Sequence, residues 1–249
     1  MKQKTLLAII ATCLMVMACG ERQPRPQGEE NMMISAEKQL PGDSTLYGLA
    51  CEGSTDSILV LLPYSGNDPD TFDIIEARKA GQVFGRARTG DQLAVIVNGN
   101  DSTVADMVIN LNRLKGHWAY QVRPRLREVP GMNPAMMPDS IRQRIMQPRE
   151  YGFKLKHEWA AAPIGISRKE KEQTGPVEYP VLMWYNEWHI FNGHLILTQN
   201  MEAISVKDDT RKTQHDTTDI VLLRRDSLVL RFKDHTQEYY RIDKDKKAK

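Results

Sequence analysis

The chain reads as an all-β protein: a small N-terminal barrel, then an eight-stranded antiparallel barrel, both behind a secretory leader. Three observations predict this. Short apolar runs recur between Gly, Pro, Asn and Asp, and no long stretch keeps a helical period. The second half contains tight hairpin signals, the clearest at Asn192-Gly193. The first residues have the layout of a leader that ends at a cysteine.

The leader comes first. Lys2 and Lys4 precede an almost wholly apolar stretch, residues 6–17, and small residues follow in "VMACG". That stretch is shorter than the ~20 apolar residues a membrane span requires and suits a signal-peptide core. Residues 1–18 are therefore expected to be removed. Val16, Met17, Ala18 and Cys19 resemble a bacterial lipobox. The resemblance implies that Cys19 is diacylated and becomes the mature N-terminus. Acyl chains contribute roughly 0.8 kcal/mol per buried methylene, enough for two or three of them to hold a protein durably on a membrane. Cys13 competes poorly, because Thr12 precedes it and little apolar sequence lies before it. Gly20, in place of the Asp that retains enterobacterial lipoproteins at the inner membrane, favours the outer membrane by analogy. Residues 19–42 are polar and broken by Pro and Gly, as in a flexible tether.

Composition excludes some functions. The chain has 34 basic and 32 acidic residues, and loss of Lys2 and Lys4 with the leader leaves 32 of each. A neutral chain has little electrostatic reason to bind nucleic acid. With Cys13 removed and Cys19 acylated, Cys51 alone remains, so no disulfide forms within the chain and no cysteine metal motif exists. Cys51 ends an apolar run and reads as a packed thiol.

Residues 43–112 supply candidate strands "TLYGLAC", "SILVLLP", "TFDIIEA", "QVFGRAR", "QLAVIVN" and "ADMVINL", separated by turn signals. Their number and length fit a small barrel of the OB or SH3-like kind. Tyr47, Tyr64, Phe72 and Phe84 are spread out rather than grouped at strand period. The block therefore reads as an interaction or structural module, not a base-stacking platform.

Residues 113–243 form the second block, and 244–249 a solvated basic tail. Trp118, Tyr120 and Val122 alternate along one run, and Tyr151, Phe153 and Leu155 along another. A type I′ turn at Asn192-Gly193 pairs Ile190 with Leu195 and Trp188 with Leu197 on one face. The other face pairs Phe191 with His194 and His189 with Ile196. A second hairpin runs "DIVLLR" to "SLVLRF" around Arg225-Asp226, and "TQEYYRI" is the last strand. About eight strands result, enough to close a barrel around side chains or one small ligand.

The block opens with Gly116-x-Trp118, and Arg241 stands on its last strand. This resembles the lipocalin and wider calycin families, in the short form found in envelope lipoproteins of Bacteroidetes. The resemblance implies that Gly116 and Trp118 open the first barrel strand. Trp118 then closes one end beneath a late arginine, Arg241, with Arg231 as the alternative. A guanidinium over an indole face is physically favourable. Any ligand belongs at the opposite end.

Between the first two strands of this block lies "VPGMNPAMMPDSIRQRIMQP", in which Ile141 and Ile145 suggest one short helix. Met132, Met136, Met137 and Met146 read as an adaptable apolar lid rather than a Cu(I) thioether site. Expected ligand contacts are Met136, Met137, Trp184 and Trp188. His189 and His194 sit diagonally on one hairpin face, roughly 7–8 Å apart. No third ligand is visible, so no metal is expected. The acidic run "DDTRKTQHDTTD" lacks EF-hand spacing. "HEWAA" at His157 has Ala161 where a zinc-protease motif needs its second His. G-x-S-x-G and phosphate-binding glycine loops are absent.

The expected function is that of a non-enzymatic, cofactor-free, lipid-anchored envelope protein binding a small apolar or amphiphilic ligand, with an envelope protein as a further candidate partner. The alternative is an interaction or stress-sensing lipoprotein linked to copper. A lipocalin-like barrel beside an OB-like one resembles enterobacterial copper and surface-sensing lipoproteins, with domain order reversed. Those carry a Cys-x-x-Cys that this chain lacks.

Overall fold

Strand alternation, with some faces buried on both sides, accounts for most of the architecture. The computed structural model describes residues 39–127, 136–165, 176–180, 183–199 and 213–242. Cys19, most of the tether, Met132 and the basic tail lie outside the described residues. The first sheet is built from β1 (Leu46–Ala50), β2 (Ile58–Pro63), β3 (Asp70–Asp73), β4 (Val83–Phe84), β5 (Gln92–Val97) and β6 (Ala105–Asn110). Its order is β3-β2-β1-β5-β6-β4, antiparallel except where β4 runs parallel to β6. A parallel bridge from Asp73 to Val104 curls the β3 edge toward the start of β6.

Two stretches expected as strands differ. "TFDIIEA" stays extended only to Asp73, whose Oδ1 accepts the Ile75 N–H at 2.7 Å. That local bond offers the backbone a turn in place of the ladder, and helix α1 (Ile75–Lys79) follows. "QVFGRAR" contributes only the two-residue β4, because the chain turns at Gly85 (φ +79°). In β5, Leu93 and Val95 face the interior of the first sheet, while Ala94 faces the second. In β6, Val108 and Ile109 divide the same way. Both faces are dry, which is why these strands read as continuous apolar runs.

Helix α2 (Leu111–Leu114) leads into the second sheet, capped by Asn110, whose side chain accepts the Arg113 N–H. The elements after it are β7 (Gly116–Val122), β8 (Arg125–Leu126), α3 (Asp139–Ile145), β9 (Arg149–Leu155), β10 (Ala161–Ile164) and β11 (Val177–Glu178). Then come β12 (Glu187–Phe191), β13 (His194–Gln199), β14 (Gln214–Leu223), β15 (Ser227–Arg231) and β16 (Thr236–Arg241). Eight of these strands form one antiparallel sheet in the order β10-β9-β7-β16-β15-β14-β13-β12. It is a meander whose last strand returns to pair with its first. Ala160 bridges Glu187 between the two edge strands, and Trp188 N–H donates to the Trp159 carbonyl at 2.8 Å. The result is a nearly closed barrel. β8 and β11 form a separate two-stranded ribbon. The β12–β13 hairpin has the register its turn dictates, Ile190 with Leu195 and Trp188 with Leu197. Asn192 and Gly193 both have positive φ, 48° and 85°.

One end of the barrel is sealed. Arg241 holds its guanidinium carbon 4.2 Å from the centroid of the Trp118 ring. It donates to the Arg225 and Lys115 carbonyls at 2.7 and 3.0 Å, and to the Arg113 carbonyl. Trp118 is fully buried, and its indole N–H donates to the Leu114 carbonyl at 2.7 Å. A Cβ on residue 116 would lie 2.1 Å from Arg241 Nη1, so only glycine fits there. Arg231 instead pairs with Asp219 at 2.9 Å.

The outer face of the first sheet covers this same end. Tyr47, Phe84, Ala94 and Ile109 share one hydrophobic cluster with Trp118, Trp159 and Trp188. Tyr47 Oη donates to the Ile190 carbonyl at 2.9 Å, and its ring meets Trp159 edge-on at 5.7 Å. The Asn192 side chain accepts both the N–H and the hydroxyl of Ser44, at 2.8 and 2.7 Å. Lys115, beneath this joint, donates to Gln92 and lies 3.4 Å from His157 Nδ1. Burial pulls its ammonium down from 10.5 to about 8.

Two outcomes are expected from this end. Gly116→Ala and Arg241→Met should each cost about 2–4 kcal/mol in urea unfolding, through steric displacement or loss of the guanidinium and its carbonyl partners. The double variant should cost clearly less than their sum, because both remove one contact. For Lys115, the folded chain binds fewer protons than the unfolded one between pH 8 and 10.5, so stability rises with pH across that window. Lys115→Met should therefore stabilise the protein at pH 7 by on the order of 1 kcal/mol after solvent screening. The advantage over wild type should shrink toward about pH 10, read from urea midpoints at the two pH values.

Candidate functional site

The barrel interior opens at the end away from Trp118, beside the β15–β16 turn and the start of β14. A pocket of about 510 Å³ lies there. β7 carries Tyr120, two residues along from Trp118 on the same alternating face. β9 contributes Phe153, β16 Tyr239, and β14 Asp216, while Tyr185 stands just before β12. The rings are packed edge to face: Tyr120 on Tyr239 at 5.4 Å and Phe153 on Tyr185 at 6.1 Å. Phe153 also meets Tyr239 at 5.0 Å. Such edge-to-face contacts fix ring orientation. At the rim, Phe232 and His235 stack at 4.7 Å, with the imidazole hydrogen-bonded to Asp234.

Polar chemistry concentrates on one wall. Tyr185 Oη donates to Asp216 Oδ2 at 2.5 Å. Burial, reinforced by that carboxylate, pushes the Tyr185 phenol far above its ordinary value. Burial also raises Tyr239, with Tyr120 and Asp216 adding to it. Tyr120 is raised by burial and by Tyr151. These phenols are therefore protonated at physiological pH and stand near the Asp216 carboxylate, with a second carboxylate, Asp234, at the rim. The arrangement suits recognition of a ligand with an apolar body and a hydrogen-bonding group. It presents no activated nucleophile.

The residues expected to touch a ligand stand elsewhere. Trp188 is only 1% exposed, lies 4.8 Å from Trp159 and donates its indole N–H to the Lys156 carbonyl. It belongs to the packing of the sealed end. Trp184 is half-buried but does not line the pocket; its neighbours Met183 and Tyr185 do. Met136 is 82% exposed and Met137 half-buried, and neither reaches the pocket. Alternation correctly separates inward from outward positions, but it does not say how far along the barrel axis an inward residue lies. Trp188 fails for that reason. Tyr120 and Tyr239 were legible as strand residues, whereas Asp216 lay hidden in an acidic run that read as a loop but forms the start of β14.

The two hairpin histidines go to separate partners. His189 stacks on Trp159 at 5.3 Å, and His194 bonds Asp219 at 2.7 Å. Among the described residues no group of three or more His, Cys, Asp or Glu is placed to hold a metal, and no helix is long and apolar enough to cross a membrane.

Comparison with known proteins bears on the barrel. No curated protein sequence matches the chain. Among solved structures, a lipocalin-like protein from Bacteroides thetaiotaomicron VPI-5482 aligns at 20% identity, over 51% of this chain and 95% of its own, with a TM-score of 0.29. The sequence model of the lipocalin-like family matches residues 164–242. That segment includes β12 to β16 and carries Tyr185, Asp216 and Tyr239. The family match and the nearly closed antiparallel meander together make the second sheet a lipocalin-like barrel.

Proposed function

We propose that this protein is a lipid-anchored envelope protein that takes a small amphiphilic ligand into the open end of its barrel. The observation that carries the reading is the pocket of about 510 Å³, walled by aromatic rings, with protonated phenols beside the Asp216 carboxylate and Asp234 at the rim. Its size lies within the range of small-molecule sites, and its lining joins aromatic rings to polar and charged groups, His215, Asp216, Lys233 and Asp234 among them. The apolar body of the ligand lies along Phe153 and Tyr239, and its polar group meets Tyr185 and Asp216. The role is binding, without catalysis. The lipobox at Val16 to Cys19 supports attachment to the membrane, and Gly20 supports the outer membrane. The order of the first sheet, with α1 between β3 and β5 and a parallel bridge from β3 to the start of β6, supports an OB-type reading of that module. Its contribution here is to seal the barrel.

N-phenyl-1-naphthylamine, which fluoresces on entering an apolar site, is expected to bind wild-type protein prepared without detergent. Gln237 on β16 also lines the pocket, so Gln237→Trp, which places an indole there, should weaken that binding roughly tenfold or more. Equal dye binding by the variant, or none by wild type, refutes the assignment of this pocket. Cys19→Ser should abolish incorporation of labelled palmitate and release the protein from the membrane fraction. Unchanged labelling would sink the anchor.

A further inference from the structure

A second concavity, of about 530 Å³, lies between the β4 end of the first sheet and the β14–β15 turn of the barrel. Five arginines line it: Arg78 on α1, Arg86 after β4, Arg113 on α2, and Arg224 and Arg225 in the turn. Asp56 is the one acidic residue in the lining, and it is already paired with Arg78 at 2.8 Å. The other four guanidiniums have no ion-pair partner among the described residues. Val83, Leu222 and Leu223 line it beneath them.

This concentration stands out because the chain as a whole is almost balanced, with 34 basic and 32 acidic residues. Like charges gathered in one concavity repel each other and focus a positive potential into it. The cluster is also held in place. Arg241, the residue that seals the barrel, receives the Arg113 and Arg225 carbonyls as acceptors. The two elements carrying those guanidiniums are thus tied to one anchor. Gly85 leaves room for Arg113 to lie close, since a Cβ there would come within 3.2 Å of Arg113 Cβ.

We infer that this groove is an anion site, separate from the barrel mouth, for a ligand bearing two or more phosphate groups. The planar guanidinium matches phosphate oxygens in pairs and is less strongly hydrated than an ammonium, so arginine is the side chain suited to this role. A single monovalent anion leaves most of the charge uncompensated, whereas a multiply charged one spans arginines from both sheets. The same chemistry is presented by a soluble polyphosphate and by a surface of anionic phospholipid headgroups.

The test uses the mature protein with inorganic tripolyphosphate as the soluble probe, followed by calorimetry at low salt. A second arm uses phosphatidylglycerol vesicles against phosphatidylcholine vesicles in co-sedimentation, with the unacylated Cys19→Ser protein. Wild type should bind at least one probe, and added salt should weaken the binding. Arg224→Gln/Arg225→Gln should reduce it roughly tenfold or more. Lys233→Gln, at the barrel mouth, should leave it unchanged. Both substituted arginines are exposed in a turn, and an unchanged near-ultraviolet circular dichroism spectrum verifies that the aromatic core is intact. Tripolyphosphate binding lost in the double variant assigns a soluble ligand; vesicle binding lost alone assigns a lipid surface. Binding of neither probe, equal binding by the double variant, or binding only of a single-stranded oligonucleotide overturns the inference.

Discussion

The Arg241 guanidinium occupies the space that a Cβ of residue 116 would need, and the fold is organised around that substitution of one group for another. The last barrel strand thereby lays a cation on the face of Trp118 in the first strand, and the same group donates to three backbone carbonyls. One side chain closes the meander, fixes α2 against the barrel and pins the β14–β15 turn. A lysine would not serve, because an ammonium has neither the flat face nor the forked donors that this geometry uses.

Sealing one end assigns the remaining chemistry to the other. At the sealed end, large side chains pack until almost no solvent reaches them: Trp118 is 0% and Trp188 1% exposed. Their N–H groups are satisfied by nearby carbonyls, which is the condition for burying an indole. At the open end three tyrosines, Tyr120, Tyr185 and Tyr239, join Phe153 and Phe232, and their hydroxyls need water, a partner or a ligand. The first sheet makes the division sharp by lending its outer face to the sealed end.

Charge is partitioned as well. The chain is close to neutral in sum, yet five of its arginines gather where the two sheets meet, and two carboxylates, Asp216 and Asp234, stand at the barrel mouth. Each region has a chemical character that the net charge conceals. Summed charge sets solubility and long-range attraction, while recognition depends on local distribution.

Local signals were enough for a large part of this. Asn192-Gly193 determines its own turn and the register of both flanking strands, because only positive φ at both positions closes a two-residue hairpin with the correct twist. The alternation of Tyr151, Phe153 and Leu155 determines an inward face, and the recurring short apolar runs determine an all-β chain. Gly116, Trp118 and Arg241 were legible as a set. Elsewhere, local bonding overrode pattern, as at Asp73, where a side-chain oxygen turned an apparent strand into a helix. The depth of each inward residue, the burial of both faces of β5 and β6, and the gathering of arginines from four separate segments are different in kind. They depend on which distant elements meet, and no period within one strand encodes that. Sequence by itself therefore determined most of the strands and their faces, and its resemblance to lipocalins pointed to the sealing pair; only the tertiary structure chose Arg241 over Arg231 and decided where along the barrel the pocket lies and what lines it.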